Sequence, residues 1–329
     1  MPSWLEDSRI AFHSECIGPN GPITVSPGKV KLAEAKRLFD LRHASTALPL
    51  LGPSPAYPNG TKTTQVSVLS NGDTGSGISL AVAAEMSRLI SLKAGPVREV
   101  ASKPSGQGSG SSFEKAVCNF IGRSFKQFSH LRAGTFVCQR GGDISEYDQY
   151  SHLEILKQIA DKEDELKTVL GSHNDYLINP DIVIFREREP DANINSGPNS
   201  PLVSTDIAQL SPLRTSNGDL PTLHASISCK LTMRSDRAQN SRSEALNLVR
   251  NRKGKLPHIV AVTAEPKPSI IASLALGTGD LDCVYHFALT ELREALDNLN
   301  LHDGLDLIDT MITGQRLRDI SDLPLDLVI

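Results

Sequence analysis

The chain reads as an α/β protein built on a central mixed β-sheet flanked by helices. Short β-branched runs at 177–185 (LINPDIVIF), 225–233 (ASISCKLTM) and 258–263 (HIVAVT) have the length and composition of buried strands. Stretches with apolar residues at helical spacing alternate with them, and no internal repeat is present. Strands interleaved with helices belong to an α/β or α+β architecture rather than to a bundle or a sandwich.

Taken in order, residues 31–43 (KLAEAKRLFDLRH) predict a short amphipathic helix, with Leu32, Ala35, Leu38 and Phe39 on one stripe. Residues 51–64 are a Pro/Gly/Asn loop. After Asn71-Gly72-Asp73, residues 78–93 carry helical apolar spacing and good helix formers. Residues 102–112 (SKPSGQGSGSS) have the composition of a linker or a functional loop. The segment FEKAVCNFIGRSF follows at once, an amphipathic helix with Phe113, Val117, Phe120 and Ile121 on one face. Residues 153–170 predict a charged helix, and 186–222 a polar loop insertion rich in Pro, Asn and Ser. A helix is expected over 243–252, starting somewhat earlier, and another over 282–299. The acidic, Leu-rich tail is expected to pack as short helices. The domain organisation expected is one domain over 1–329, with 1–70 as an N-terminal helical and loop extension packed on it.

Composition narrows the function. A 39% hydrophobic and 22% charged chain of 329 residues, with 24 Gly and 20 Pro, suits a loop-rich globular protein. No apolar run approaches membrane-spanning length, so no membrane partner is expected. The N-terminus lacks the basic and apolar regions of a secretory signal. The five cysteines are scattered without a Cys-x-x-Cys pair, which removes zinc ribbons and thioredoxin-like chemistry and makes reduced thiols in a cytoplasm the expectation. No His-Glu-x-x-His, Gly-x-Gly-x-x-Gly or P-loop is present. A net charge of −4 with pI about 6.1 does not describe a protein that coats nucleic acid, but local charge sets a footprint. Between 230 and 255, eight cations (Lys230, Arg234, Arg237, Arg242, Arg250, Arg252, Lys253, Lys255) face only Asp236 and Glu244. Alone, such a cluster describes a solvated helix face.

Chemistry gathers around this cluster. Asp181 follows Pro180 at the opening of one strand, Lys230 lies on the next in Ser228-Cys229-Lys230, and Glu244 comes fourteen residues later on a helix. Phosphodiester hydrolysis uses such a set. Carboxylates hold Mg²⁺, which often takes one or two of them plus substrate oxygens. The ion activates water and neutralises phosphate charge, and a neighbouring lysine stabilises developing negative charge. Singly, a Pro-Asp before a strand is a turn and a strand lysine points to solvent. Jointly, the lysine strand running into a cationic segment favours chemistry. In Arg234-Ser235-Asp236-Arg237, arginine can pair bidentately with guanine O6 and N7, and aspartate can accept from cytosine N4.

Pro180-Asp181 with Ser228-Cys229-Lys230 resembles the PD-(D/E)xK nuclease signature, with serine in place of the usual acid. Glu244 matches the acid that the CCGG-cutting branch of type II restriction endonucleases carries on a following helix. The stretch SCKLTMRSDRAQNSRSEALNLVRNR, continuing through LPHIVAVTAEP and LGTGDLDCVYHFAL, is similar to the NgoMIV-like family of that branch. The resemblance implies a restriction-endonuclease-like core and an Mg²⁺-dependent nuclease with a pair of ions per active site. It implies Asp181, Lys230, Glu244 and Glu114 as active-site residues. Asp181 and Glu244 would hold metal, with Cys229 through its backbone carbonyl. Arg234, Asp236, Arg237, Gln107 and Asp73 would contact double-stranded DNA. For Glu114 helix capping is the plainer alternative, and for Gln107 and Asp73 it is a polar loop. The resemblance also implies self-association to a dimer or tetramer and a companion DNA methyltransferase. One position departs: Ile270 stands where the family carries an arginine that reads the outer base pair. A nuclease without sequence choice, a catalytically silent DNA-binding protein and an unrelated α/β metabolic enzyme remain the alternatives.

Overall fold

The structure, a computed structural model, describes residues 3–44, 63–154, 178–233, 235–277 and 279–329. The side chains of 39, 42–44 and 235–239 are not described either. The expected loop at 51–64 and helix at 153–170 lie almost wholly outside these residues, as does Arg234.

Helix α1 (Trp4–Ile17) opens the chain where the sequence suggested only mixed structure. The Ser3 side chain accepts from the Glu6 N–H, and Glu6 and Asp7 complement the positive helix end. Strand β1 (Thr24–Lys31) pairs antiparallel with β2 (Thr63–Leu69) and parallel with the short β3 (Arg98–Glu99), forming a three-stranded sheet in the order β2-β1-β3. Pro27-Gly28 inside β1 hides it from a sequence pattern. Gly28 is required there because a Cβ would lie 2.6 Å from Val68. Helices α2 (Leu32–Ala44) and α3 (Gly77–Ala94) agree with expectation. From Leu80 to Ala84 every α3 side chain is fully buried, so it is a central helix rather than a surface one.

Helix α4 (Gly106–Gln127) corrects the expected loop over 102–112. Ser105 caps it by accepting from Gly108 N at 3.1 Å, and the Gly/Ser run forms its first two turns. Composition suggested a linker, but the cap and the buried Phe113 face downstream dominate.

The second sheet has six strands in the order β4-β5-β6-β7-β8-β9. These are β4 (Phe136–Arg140), β5 (Ile182–Arg186), β6 (Thr222–Lys230), β7 (His258–Thr263), β8 (Cys283–His286) and β9 (Leu317–Asp319). The pairs β4-β5 and β5-β6 are antiparallel, and the pairs from β6 to β9 are parallel. The sheet is therefore mixed, as expected. Between β5 and β6, residues 187–221 contain the single-turn helix α5 (Asp191–Ile194). Buried Arg214 organises it with two hydrogen bonds to Asp191, at 2.8 and 2.6 Å. After β6 come α6 (Ser235–Asn251) and α7 (Pro268–Ala275). The helix expected over 282–299 is corrected: β8 occupies 283–286, and α8 (Leu289–Asn298) begins only at Leu289. The four residues CVYH are all buried, and periodicity cannot tell a short buried strand from a helix turn. The tail contains α9 (His302–Thr313) and α10 (Leu323–Asp326) on either side of β9.

One apolar cluster runs from α1 to the last helix. Phe12 meets Phe120 with ring centroids 5.1 Å apart, and His13 Nε2 donates to the Phe287 carbonyl at 2.8 Å. Arg9 holds Glu291 at 2.9 and 2.6 Å and Asp319 at 2.8 Å on both oxygens, tying α1 to α8 and β9. All five cysteines are free thiols. Among the described residues no helix is long and apolar enough to cross a membrane.

Candidate active site

Strand β5 runs antiparallel to β6, with Ile182 opposite Ile227. The residue just before β5 is thereby brought to the carboxyl end of β6. Asp181 and Lys230, 49 positions apart in the chain, meet there with Lys230 Nζ donating to Asp181 Oδ2 at 2.9 Å. The same oxygen accepts from the Cys229 N–H at 2.6 Å and from Ser228 Oγ at 3.4 Å. Among the described residues no hydrogen bond reaches Oδ1. The two side chains are 23% and 21% exposed, so they are shielded but reachable from solvent. Ligands of open α/β sheets characteristically bind at carboxyl strand ends.

Helix α6 brings the second acid. Its buried Ser241 lies 3.3 Å from Ser228 Oγ, which pins the helix against β6. Glu244 follows three residues later on the same face. Ala245 and Leu248 are buried and anchor the adjoining stripe. Burial pushes the Glu244 carboxyl above its ordinary range and the Asp181 charge adds to this, while Lys230 opposes both. For Lys230, burial alone would lower the ammonium. The attraction and hydrogen bond of Asp181, with the charge of Glu244, reverse the sign and hold it above its ordinary range. The lysine is therefore a fixed cation at neutral pH.

Cys229 is buried, and burial raises its thiol well above the ordinary range. Glu114 sits in the third turn of α4, which sets aside the capping alternative. Its Oε2 accepts from Arg140 at 3.0 Å, and its charge reaches the Cys229 sulfur. Gln107 is exposed on the first turn of α4. Asp73 is exposed too, with Oδ1 accepting from Gly75 N at 2.9 Å. It lines a separate cleft of about 470 Å³, with Lys103, Met233, Glu265, Lys267 and Ile270 among its other walls. Asp73 is thus brought beside the residue preceding Arg234 rather than to Asp181. Asp236 and Arg237 lie on the first turn of α6, beyond which their side chains are not described.

Among the described residues no cluster of three His, Cys, Asp or Glu is assembled. Mg²⁺ needs no such cluster: it binds through one or two carboxylates and completes its shell with water and phosphate. Asp181 and Glu244, which sense each other's charge, are the hard oxygen donors this requires. Sequence patterns pointed to Asp181, Lys230 and Glu244. Ser241, Arg140 and Glu265 escaped them, although an acid just past a parallel strand, as in Thr263-Ala264-Glu265, is a recognisable signal.

Comparison with known proteins gives the chemical class. The family model of the NgoMIV restriction enzyme matches residues 59–329. The type II restriction enzyme NgoMIV of Neisseria gonorrhoeae is 54% identical over 229 residues, which cover 68% of this chain and 79% of that protein. Among solved structures, Bse634I restriction endonuclease covers 75% of this chain and 96% of its own at 14% identity and a TM-score of 0.32. Bse634I with cognate DNA covers 60% and 79% at 12% identity and 0.31. The family match extends from before β2 to the end of the chain and takes in the whole six-stranded sheet with Asp181, Lys230 and Glu244, and with it the restriction-endonuclease-like fold. The chain belongs to the NgoMIV restriction enzyme family and is a type II restriction endonuclease.

Proposed function

We propose that the chain hydrolyses double-stranded DNA at a palindrome with a CCGG core, cutting before the first C and leaving 5′-phosphate ends with a 5′ CCGG overhang. The observation that carries this reading is the Asp181–Lys230 pair at the end of β6, joined electrostatically by Glu244. Asp181 and Glu244, with the Cys229 carbonyl, hold Mg²⁺, as a pair of ions per site. Magnesium, when bound, supplies charge neutralisation at the phosphate and an activated water. Lys230 stays protonated, so it does not act as the base. It orients the attacking water and stabilises charge that develops on the scissile phosphate. Glu114 supports Glu244. Arg234, Asp236 and Arg237 read the core, each bidentate pair contributing roughly 1–3 kcal/mol of discrimination, while Gln107 and Asp73 make flanking contacts. A twofold site calls for a twofold protein, hence at least a dimer, and the family resemblance extends this to a tetramer. Protection of host DNA requires a companion methyltransferase.

Digestion of a plasmid with known GCCGGC and other CCGG sites tests this. The expected result in Mg²⁺ is discrete fragments whose ends map to CCGG, and none in EDTA. Cleavage without sequence bias would favour a repair or recombination nuclease. Binding in Ca²⁺ with no cutting in Mg²⁺ would favour a silent binding protein.

The outer base pair is a separate expectation. GCCGGC is the site that the resemblance implies, but Ile270 has no group to hydrogen-bond a base. A library randomised at the outer pair should be cut at GCCGGC and also at other flanks, within about tenfold. Strict GCCGGC cleavage would dispose of a relaxed outer position.

A further inference from the structure

Glu265 has no part in the chemistry above, yet it joins the segments around the cleft. It lies two residues past β7 and is 4% exposed. Its Oε2 accepts from the Met233 N–H at 2.9 Å and its Oε1 from the Lys267 N–H at 3.1 Å. Met233 is the last residue before Arg234-Ser235-Asp236-Arg237, and Lys267 is the cap of α7, on which Ile270 lies. The adjoining backbone is fixed independently. Ala264 O accepts from Asn71 Nδ2 at 3.1 Å, Thr263 Oγ1 donates to Lys230 O at 2.8 Å, and His286 Nε2 lies 3.2 Å from Glu265 O. One buried carboxylate thus spans the strand that carries Lys230, the segment entering Arg234 and the start of α7.

We propose that Glu265 is a positioning residue for sequence reading: its ionised carboxylate holds the Met233 and Lys267 amides at once and so sets how Arg234–Arg237 leave β6. This rests on the reading that 234–237 contacts bases. The chemistry depends on charge. An ionised carboxylate offers acceptors on both oxygens, whereas a carboxylic acid turns one of them into a donor. Protonation therefore costs one of the two amide bonds and loosens the segment. Burial, reinforced by the charge of Asp73, pushes the Glu265 carboxyl up to about 7, against the two amides and the charge of Lys267. The other charged or titratable groups around it are Lys103 and Lys267 in the cleft and His286 on β8, whose Nε2 meets the Glu265 carbonyl. Burial brings His286 down to about 4, so it stays neutral across the range that matters.

The test compares cleavage of a CCGG duplex with one carrying a single core substitution, in Mg²⁺, from about pH 6 to about pH 8.5, for the full chain, Glu265→Gln and Arg237→Ala. The rate ratio of the two duplexes cancels effects of pH on chemistry that both share. For the unsubstituted enzyme the ratio should rise about tenfold with pH, with its midpoint near 7, the loss of one charged hydrogen bond setting the scale. Glu265→Gln should give a low ratio that is flat with pH, and its defect should appear more in half-saturating concentration than in the saturated rate. A merely structural role would change neither the slope nor this split. A flat ratio for the unsubstituted enzyme overturns the inference even if Glu265→Gln does not fold. A Glu265→Gln protein with an unchanged profile overturns it as well. If Arg237→Ala leaves the ratio intact, the base-reading assignment itself falls. If Arg237→Ala abolishes the ratio while Glu265→Gln does not, only the role of Glu265 falls.

Discussion

Replacing Lys230 with alanine is expected to reduce single-turnover cleavage of a CCGG duplex by about a thousandfold, while duplex binding in Ca²⁺ changes only a few-fold. The magnitude is that of removing one preorganised donor aimed at developing charge, typically about 10²–10³ in rate, taken at the upper end because the donor is a full cation. The geometry supports a selective effect. Without its ammonium, Asp181 Oδ2 still accepts from Cys229 N and Ser228 Oγ, so the carboxylate stays where it is. Arginine should not rescue activity, because its planar fork cannot replace a compact ammonium 2.9 Å from the carboxylate. Quench-flow measurement at saturating enzyme separates rate from affinity. A Lys230→Ala protein within tenfold of the original rate would remove Lys230 from the mechanism.

The largest expected effect on stability lies far from the chemistry. Arg9→Ala should cost about 3–5 kcal/mol, because removing one partner of a buried ionic group leaves the others uncompensated. Here two carboxylates are stranded, Glu291 and Asp319, whose side chains are 9% and 12% exposed. Burial pushes both carboxyls up, but the hydrogen bonds and charge of Arg9 outweigh it and hold both below their ordinary range. A depressed carboxyl contributes stability that is present above its unfolded value and is lost as pH falls through the folded one. In Arg9→Ala the two groups instead rise and protonate readily. The deficit against the original protein should therefore be greatest near neutrality and shrink below about pH 4. Urea unfolding at two pH values measures this, and a deficit under 1 kcal/mol at neutral pH would show the network to be dispensable. Arg9 lies outside the region matched by the family model, so this segment's contribution is not inherited from that match.

The parts of the fold legible in the sequence were those where local pattern and burial agree. Strands β5, β6 and β7 are β-branched runs buried on both faces, and α6 and the Phe113 face of α4 have strong helical periodicity. Asp181, Lys230 and Glu244 were legible because a short motif and a charge cluster coincide on those elements. Other features were hidden for physical reasons. In β1, Pro27-Gly28 breaks the pattern, and what restores the strand is pairing with β2, roughly forty residues away in the chain. The first two turns of α4 have the composition of a loop and are helical because Ser105 caps them and Phe113 buries the face beyond. Strand β8 is four residues long and becomes a strand only through its parallel neighbours. The position of Glu265 just past a strand is a local signal, but its role is not, because its partner amide at Met233 is 32 residues upstream.

The parallel register of β6 and β7 has a consequence for redesign. Lys230 lies beside Thr263, and the two strands end together. On the proposed roles, the cutting group and the frame of the reading segment are attached to one rigid strand pair, with only Leu231, Thr232 and Met233 between Lys230 and Arg234. The sheet then acts as a ruler: the offset between scissile bond and read bases is set by backbone spacing, not by side-chain choice. What is read can be altered by exchanging residues past Met233. Where the cut falls cannot be moved without changing the length of β6, and a one-residue change there turns every following side chain to the opposite face. New specificities on this scaffold should therefore inherit the old stagger.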